Sequence, residues 1–299
     1  MSKFNAFKMF AAVMAVCLTT GLAQADENLF GYIRGAETLP QGSWDLYQVL
    51  TSRTDKGKGT YSALDSKTEI EYGATNSLSI SGALMMQSIY SSGITVDAYI
   101  PKDINSGMSP SGLEFSAKYN FLSPAKDDVG FSTYFALLHS WRDKHSGQDK
   151  DSTSAELEFI LQKYFLEGEL IWVLNTGMES TYAQRYYIPD LDPGFEWPTH
   201  PEMEIALNAG MGLSYRFMPN WFVGAELSYE TEYETEVGQE RWSTFAGPNL
   251  HYATAGWWTT LTWFPQIQGA PAYDGQQDAN LHLIEKTKQE VRFKVGINF

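Results

Sequence analysis

The sequence predicts an all-β protein, a transmembrane antiparallel β-barrel of about twelve strands with both termini in the periplasm. Three observations carry this prediction: an amphipathic strand at the carboxyl end, an export signal at the amino end, and connections that alternate between short and long. Together they are typical of barrels that cross a membrane with strands.

Residues 289–299 alternate strictly between polar and apolar side chains. The apolar positions, which fall on one side of a strand, are Val291, Phe293, Val295, Ile297 and Phe299. An amphipathic strand that ends on an aromatic residue resembles the closing strand of bacterial outer-membrane barrels. In those proteins the barrel-assembly machinery reads the terminal strand, so Phe299 is the predicted assembly signal and that machinery a predicted partner. The alternative is a half-buried edge strand of a soluble sheet.

Residues 1–25 predict a cleaved secretory signal peptide. Two lysines precede the apolar run Met9–Leu18, and Ala23–Ala25 has the small-residue spacing of a cleavage site. The apolar run is too short to span a bilayer as a helix. Cleavage leaves residues 26–299 as a single domain without cysteine, because Cys17 lies in the signal.

Composition narrows the class of the exported chain. Removal of the signal leaves 19 basic and 36 acidic residues, a net charge of −17. No basic patch accompanies the aromatic residues, so nucleic acid is not a predicted partner. With 9 Trp, 17 Tyr and 17 Phe, the full chain is rich in the residues that anchor membrane proteins at the interface.

Twelve segments have the composition and alternation of strands. Most span about nine residues or more, which is enough for a tilted strand to cross the hydrocarbon layer. Residues 26–42, before the first strand, are predicted to form a periplasmic leader. The predicted strands are Ser43–Ser52, Ser66–Ala74, Leu78–Ile89, Leu113–Tyr119, Val129–Ser140, Ser152–Tyr164, Glu169–Met178, Glu202–Phe217, Trp221–Glu234, Trp242–Thr254, Trp257–Ile267 and Glu290–Phe299.

The connections between these segments alternate in length along the chain. An even-stranded barrel with both termini in the periplasm needs this order, with short turns inside and long loops outside the cell. The short ones are 75–77, 120–128, 165–168, 218–220 and 255–256, and the long ones are 53–65, 90–112, 141–151, 179–201, 235–241 and 268–289.

The pleat assigns alternate residues of each strand to lipid and to the lumen. In the eighth predicted strand, for example, Leu207 and Leu213 face lipid whereas Glu204 and Arg216 face inward. Aromatic residues near strand ends predict two girdles at the membrane interfaces. The girdle beside the short turns comprises Trp221, Trp257, Trp258, Trp263, Phe264, Phe121 and Phe165, and the girdle beside the long loops comprises Tyr233, Trp242 and Tyr90.

Inward charges predict a wet pore with one acidic and one basic wall. Strands between residues 152 and 234 supply most of the carboxylates, and the second, fourth and last strands supply most of the cations. Such a transverse field orders polar solutes and favours cations. The alternative is that the charges pair across a narrow lumen and plug it. The predicted lining residues are Glu156, Glu158, Glu169, Glu204, Arg216, Glu226, Glu230, Arg292, Lys294, Lys67 and Lys118.

The loop between the seventh and eighth predicted strands is rich in aromatic residues and proline. Tyr186, Tyr187, Phe195 and Trp197 are predicted to contact a solute at the pore mouth, or else they belong to a stiff exposed loop. Its acidic residues do not have the spacing of a known calcium loop. No metal or cofactor is predicted.

The first strand and the residues before it carry a family resemblance. The segment Gly35–Trp44 (GAETLPQGSW) and the segment Thr68–Gly73 (TEIEYG) resemble an uncharacterised bacterial outer-membrane barrel family, known only as a domain of unknown function. That family is loosely similar to barrels linked to the uptake of aromatic compounds. The resemblance covers nearly the whole mature chain and implies fold and compartment, but it assigns no catalytic or binding residue.

The function predicted from these features is a passive diffusion channel for a small solute in the outer membrane of a Gram-negative bacterium, in contact with lipid and lipopolysaccharide. One alternative is a closed structural or adhesive barrel without transport. The other is a lipid-modifying enzyme using His139 and Ser140. No catalytic residue is predicted, because adjacent residues of a strand point to opposite faces and cannot form a nucleophile–base pair.

Overall fold

The computed structural model describes residues 28–234 and 238–299, which form one closed barrel of twelve antiparallel strands. The all-β fold and the strand number predicted from the sequence are confirmed. The predicted signal peptide, 1–25, lies outside the described residues. The strands are β1 Trp44–Thr54, β2 Thr60–Thr75, β3 Leu78–Ser92, β4 Ile104–Leu122, β5 Gly130–Arg142, β6 Asp149–Phe165, β7 Leu170–Arg185, β8 Glu202–Met218, β9 Trp221–Glu234, β10 Gly238–Ala253, β11 Trp257–Ala270 and β12 Gln289–Asn298.

Each strand pairs with its neighbours in sequence, and β1 closes the ring against β12. The closing register runs from Asp45 opposite Asn298 to Thr54 opposite Gln289. Just beyond it, the amides of Trp44 and Phe299 each donate to the other residue's carbonyl, at 2.8 and 2.9 Å. The terminal strand is therefore the seam of the barrel, and the side chain of Phe299 lies exposed at its end.

Exposure alternates along the strands as the sequence predicted, with apolar side chains outside and polar ones inside. Two members of the predicted girdles are exceptions. Trp258 and Phe264 are buried in the interior, because β11 presents its even-numbered residues to the lumen. Outward apolar residues of the central strands include Leu157, Phe159, Ile205, Leu207, Met211, Leu213, Val223 and Leu227.

The two ends of the barrel differ in their connections, which define a short-turn end and a long-loop end. At the short-turn end strands are joined by residues 76–77, 123–129, 166–169, 219–220 and 254–256. At the long-loop end the described connections are 55–59, 93–103, 143–148, 186–201 and 271–288. Several are shorter than predicted, because alternating polar residues continue the strands at this end. Which end faces the periplasm stays a prediction.

No helix among the described residues is long and apolar enough to cross a membrane. Within residues 28–234 and 238–299, the one helical segment is a 3-10 turn at Leu166–Gly168.

The described part of the predicted leader does not extend away from the barrel. Leu29, Phe30, Ile33 and Ala36 are fully buried and form one apolar cluster with inward residues of β5, β6 and β7. The leader therefore occupies the lumen on the short-turn side.

Candidate functional site

The lumen is the candidate site, and the leader (residues 28–42) determines how much of it is filled. Its central contact is the carboxylate of Glu226 on β9, which is 2% exposed. Three consecutive amides, of Gly31, Tyr32 and Ile33, donate to that carboxylate at 2.8, 2.6 and 3.1 Å. Successive N–H groups converging on one anion form a specific anion-binding arrangement, here used to hold the chain itself.

Two inward glycines of β8 make room for the apolar leader residues. A Cβ at Gly212 would lie 2.7 Å from the Phe30 ring, and one at Gly210 would lie 2.5 Å from Ile33 Cδ1. These distances are far below ordinary carbon contacts, so a larger residue at either position would force the Phe30 ring or the Ile33 side chain to move.

Arg34 connects the leader to the predicted acidic wall. Its guanidinium lies 3.0 Å from a carboxylate oxygen of Glu156 and 2.5 Å from one of Glu158. The same group lies 4.0 Å above the ring of Tyr134, within range of a cation–π contact. The side chain of Asn175 fixes the backbone of Arg34. Its Oδ1 accepts from the Arg34 amide at 2.8 Å, and its Nδ2 donates to the Arg34 carbonyl at 3.0 Å.

The predicted basic residues of β12 also contact the leader. Arg292 lies 3.7 Å over the Tyr32 ring, and it donates to Gly31 O at 3.0 Å and to Thr51 Oγ1 at 2.9 Å. Lys294 donates to the side chain of Asn28 at 2.6 Å. The acidic and basic walls are thus bridged by the leader rather than left open to each other.

At the long-loop end, segments between strands fold inward over the lumen. Lys56 is fully buried and donates to the carbonyls of Leu283, Ile284 and Lys286 at 3.3, 2.7 and 2.9 Å, which fixes the β11–β12 loop. Lys286 of this loop forms an ion pair with Glu230.

A charge network surrounds Arg241 on β10, next to the same loop. Its guanidinium lies 2.7 Å from Glu232, 2.8 Å from Glu285 and 3.4 Å from Glu204. Glu204 therefore has a cationic partner, as Glu230 has.

His282 of the β11–β12 loop gives the loop a pH dependence. It is 1% exposed, its amide donates to Gln266 Oε1 at 2.6 Å, and burial lowers the pKa of its ring to about 3. The undocked loop binds a proton between about pH 6.5 and pH 3 that the docked loop does not, so docking weakens as pH falls through this window. We expect hydrogen-exchange protection factors of residues 281–287 to fall between pH 7 and pH 5.

The matched control is His282→Gln, which keeps a polar side chain but has no titratable ring. Its protection factors are expected to change less over the same interval. Equal pH responses in the two proteins would contradict the assignment to His282.

Between the leader and the inward loops lies a cavity of about 520 Å³, which is lined by residues of β1 to β7 and of β12. In its lining, Lys67 Nζ lies 2.7 Å from carboxylate oxygens of both Glu69 and Glu114. Along β2 the lining runs from Glu71 to Asp65, roughly 20 Å of strand. It also reaches Lys144 and His145 of the β5–β6 loop at the opposite end.

The structure divides the predicted lining residues into three groups. Lys67, Lys118, Arg292 and Lys294 line the cavity. The predicted acidic residues Glu156, Glu158, Glu204, Glu226 and Glu230 are absent from its described lining and contact the leader, Arg241 or Lys286 instead. Glu169 and Arg216 lie half-exposed at the short-turn end, 4.0 Å apart.

The four loop aromatics lie elsewhere. Tyr186 and Tyr187 are exposed, and the indole N–H of Trp197 donates to Tyr186 O at 2.9 Å. Phe195 donates its amide to Asp192 O within the same loop. None of the four is among the described residues that line the cavity, so their predicted contact with a solute has no support from the cavity geometry.

Two further polar groups bear on catalysis and metal binding. Ser140 donates to the carbonyl oxygens of Ser111 and Arg142, whereas His139 lies on the outer face beside Thr153, so the two residues do not form a couple. Glu202, Glu204 and Glu234 place carboxylate oxygens within 4.8 Å of one another. Arg185 and Arg241 form ion pairs with two of them.

Sequence reasoning missed the leader as part of the site. Two signals were available in the sequence. Leu29, Phe30 and Ile33 are large apolar residues outside any strand alternation, and inward glycines on β8 leave space in the lumen.

A closed ring of antiparallel strands with an apolar outer face and a charged interior defines a β-barrel of the outer-membrane type. The chain belongs to a family of unknown function, DUF6662, whose model matches residues 22–299. This confirms the family resemblance predicted from the sequence.

Solved structures support the same fold. An outer-membrane channel from Pseudomonas putida F1 is 14% identical and aligns over 88% of this chain and 98% of its own, with a TM-score of 0.58. The β domain of the Bordetella autotransporter BrkA is 10% identical over 87% of this chain and 100% of its own, with a TM-score of 0.50. No curated protein matches the chain in sequence.

Proposed function

We propose that the protein is a passive diffusion channel for a small solute in the bacterial outer membrane. The observation that carries this proposal is the elongated cavity beside the leader, which is lined by charged and hydroxyl side chains and reaches from β2 residues near the short-turn end to the β5–β6 loop. A lumen whose only purpose is structural could fill this space with apolar side chains.

The outer face supports the membrane location. Its apolar residues, such as Leu207, Leu213 and Leu227, lie exposed on neighbouring strands and would contact lipid or lipopolysaccharide. Export by the predicted signal peptide and recognition of Phe299 by the assembly machinery belong to the same proposal.

The leader restricts this channel. Its fixed position on the short-turn side requires either that the solute passes beside it or that the leader moves. The cation preference predicted from the acidic wall depended on free carboxylates, but Glu156, Glu158, Glu226 and Glu230 are bound to the leader or to Lys286. Ion preference is therefore set by the groups that line the cavity.

Conductance across a planar bilayer tests the proposal. Refolded full-length mature protein is expected to give discrete openings in potassium chloride, whereas detergent alone gives none. Folded protein that inserts without conductance, both as it is and after deletion of residues 28–37, would exclude a channel.

The second candidate is a closed structural barrel. The filling of one side of the lumen by the leader and the pairing of its inward charges favour it. It predicts silent insertion even when the leader has been removed, which separates it from the channel.

A further inference from the structure

The cavity has the opposite charge balance to the chain as a whole. The chain has 21 basic and 36 acidic residues. The described cavity lining has eight basic and six acidic side chains. A protein with this acidic excess has therefore placed a large share of its cations around one space, which is the pattern of a site for an anion.

Some of the cations that line the cavity are not paired with a carboxylate of the lining. Lys67 is bound between Glu69 and Glu114, and Asp65 is held by Arg53 at 2.6 Å. Among the residues that the structure describes, the lining cations Arg142, Lys144 and Arg292 form no ion pair with a carboxylate. The hydrogen bonds of Arg142 and Arg292 go to neutral oxygens, so their charge is available to a ligand.

Neighbouring residues fix the Arg292 side chain and the backbone of the loop that carries Lys144, at the long-loop half of the cavity. Arg292 donates to Thr51, whose backbone is paired with Asp65 in the next strand. Arg53 donates to the carbonyl of Lys144 at 2.7 Å, and Tyr61 donates to that of His145 at 2.9 Å, which fixes the β5–β6 loop. The site therefore combines Arg292, whose side chain is held by the strand wall, with the exposed Lys144 on a loop whose backbone is fixed.

His145 reports the local potential. Burial and the nearby charges of Lys56, Arg53, Lys144 and Lys286 lower the pKa of its ring well below the ordinary value. Its Nδ1 is buried and has no hydrogen-bond partner within the described parts of the chain. Burial disfavours a charge of either sign, but the contribution of the four nearby cations reflects a positive local potential, which favours a negative charge.

The hydroxyl groups of the cavity lining indicate the chemistry of the rest of the ligand. Ten serine and threonine side chains line the cavity, among them Ser81 and Ser116, whose hydroxyl oxygens lie 2.6 Å apart. Hydroxyls both donate and accept, so they suit a ligand that carries several hydroxyls of its own.

We propose that the cavity binds small polyhydroxylated carboxylates, with the carboxylate held by Arg292, Arg142 and Lys144 and the hydroxyls by the serine and threonine side chains. This proposal names the class of solute for the proposed channel, and any role of the cavity in transport rests on that proposed function. Binding itself does not require an open pore.

Equilibrium binding to the full-length mature barrel in detergent tests the proposal with three probes of similar size: gluconate, glucose and glucosamine. Gluconate is expected to bind about tenfold more tightly than glucose, which corresponds to about 1.4 kcal/mol, and glucosamine more weakly than either. Raising the salt concentration should reduce the advantage of gluconate.

Arg292→Gln and Lys144→Gln are each expected to reduce the advantage of gluconate over glucose about threefold or more. Lys144 does not contact the leader, so its variant remains informative if Arg292→Gln fails to fold. Lys126→Gln, in the exposed β4–β5 turn, removes the same charge outside the cavity and should change nothing. Gluconate binding no tighter than glucose, or unchanged in both cavity variants, overturns the proposal.

Conductance and reversal potentials, measured beside binding, distinguish failure of the anion site from failure of the proposed channel. Gluconate binding by a barrel that never conducts supports the site and refutes the channel. Conductance that prefers potassium over gluconate and chloride, together with no preferential binding, leaves the channel in place and refutes the anion site.

Discussion

Glu226→Ala is expected to free the leader and to raise the conductance of the barrel severalfold. The substitution removes the acceptor of three leader amides, and it also removes the partner of Thr262 and Asn249 at 2.8 and 3.0 Å. Each buried donor left without a partner costs about 1–3 kcal/mol, so the leader position loses roughly 3 kcal/mol or more. That changes the equilibrium between bound and released leader by more than about a hundredfold.

Single-channel recording in a planar bilayer measures the effect, and protease accessibility of residues 28–37 reports release of the leader independently. Glu169→Ala is the matched control, because it removes a carboxylate that is half-exposed at the short-turn end. An unchanged conductance in a Glu226→Ala protein whose leader has become accessible would show that the leader does not restrict the path.

Leu213→Arg is expected to cost about 2–4 kcal/mol of unfolding free energy in a lipid bilayer. Leu213 lies on the outer face of β8, five residues before the strand ends at Met218, near the middle of a membrane-crossing segment of about ten residues. A guanidinium there must be removed from water or must pull water into the hydrocarbon layer. Urea unfolding of the protein in phospholipid vesicles measures the difference.

Met203→Arg introduces the same side chain on the same face of β8, but near the long-loop end of the strand. Its expected cost is below about 1 kcal/mol, because the penalty falls towards the interface. If the two variants lose equal stability, the outward face of β8 does not cross a bilayer at the depth inferred here.

The number of strands and the side to which each strand residue points were predictable, because both follow from a local pattern. β6, β8 and β12 have a period of two, because successive residues face lipid and the lumen in turn and are therefore apolar and polar in turn. Strand length was less predictable. Beyond the membrane the outer face no longer has to be apolar, so the extensions of β2 and β4 look like loops in sequence.

The organisation of the lumen depends on contacts between residues far apart in the chain. Glu226 was correctly assigned to the inside, but its partners lie 193 to 195 residues away in a segment without periodicity. The inward acidic wall was predicted from β6 to β9, whereas its neutralisation by Arg34 and Lys286 depends on where two non-strand segments fold. No local pattern contains that information.

The path of the leader has a topological consequence. It enters beside the β2–β3 turn, where Thr38 contacts Asn76, passes Glu226, and returns to Asn28 beside Thr260 and Lys294. None of residues 28–42 belongs to the strand ladder of the ring. Residues 28–42 can therefore leave the lumen and return to it without the opening of a strand pair. Exchange between the two positions is thus limited by side-chain and amide contacts, on the timescale of loop motion rather than of barrel unfolding.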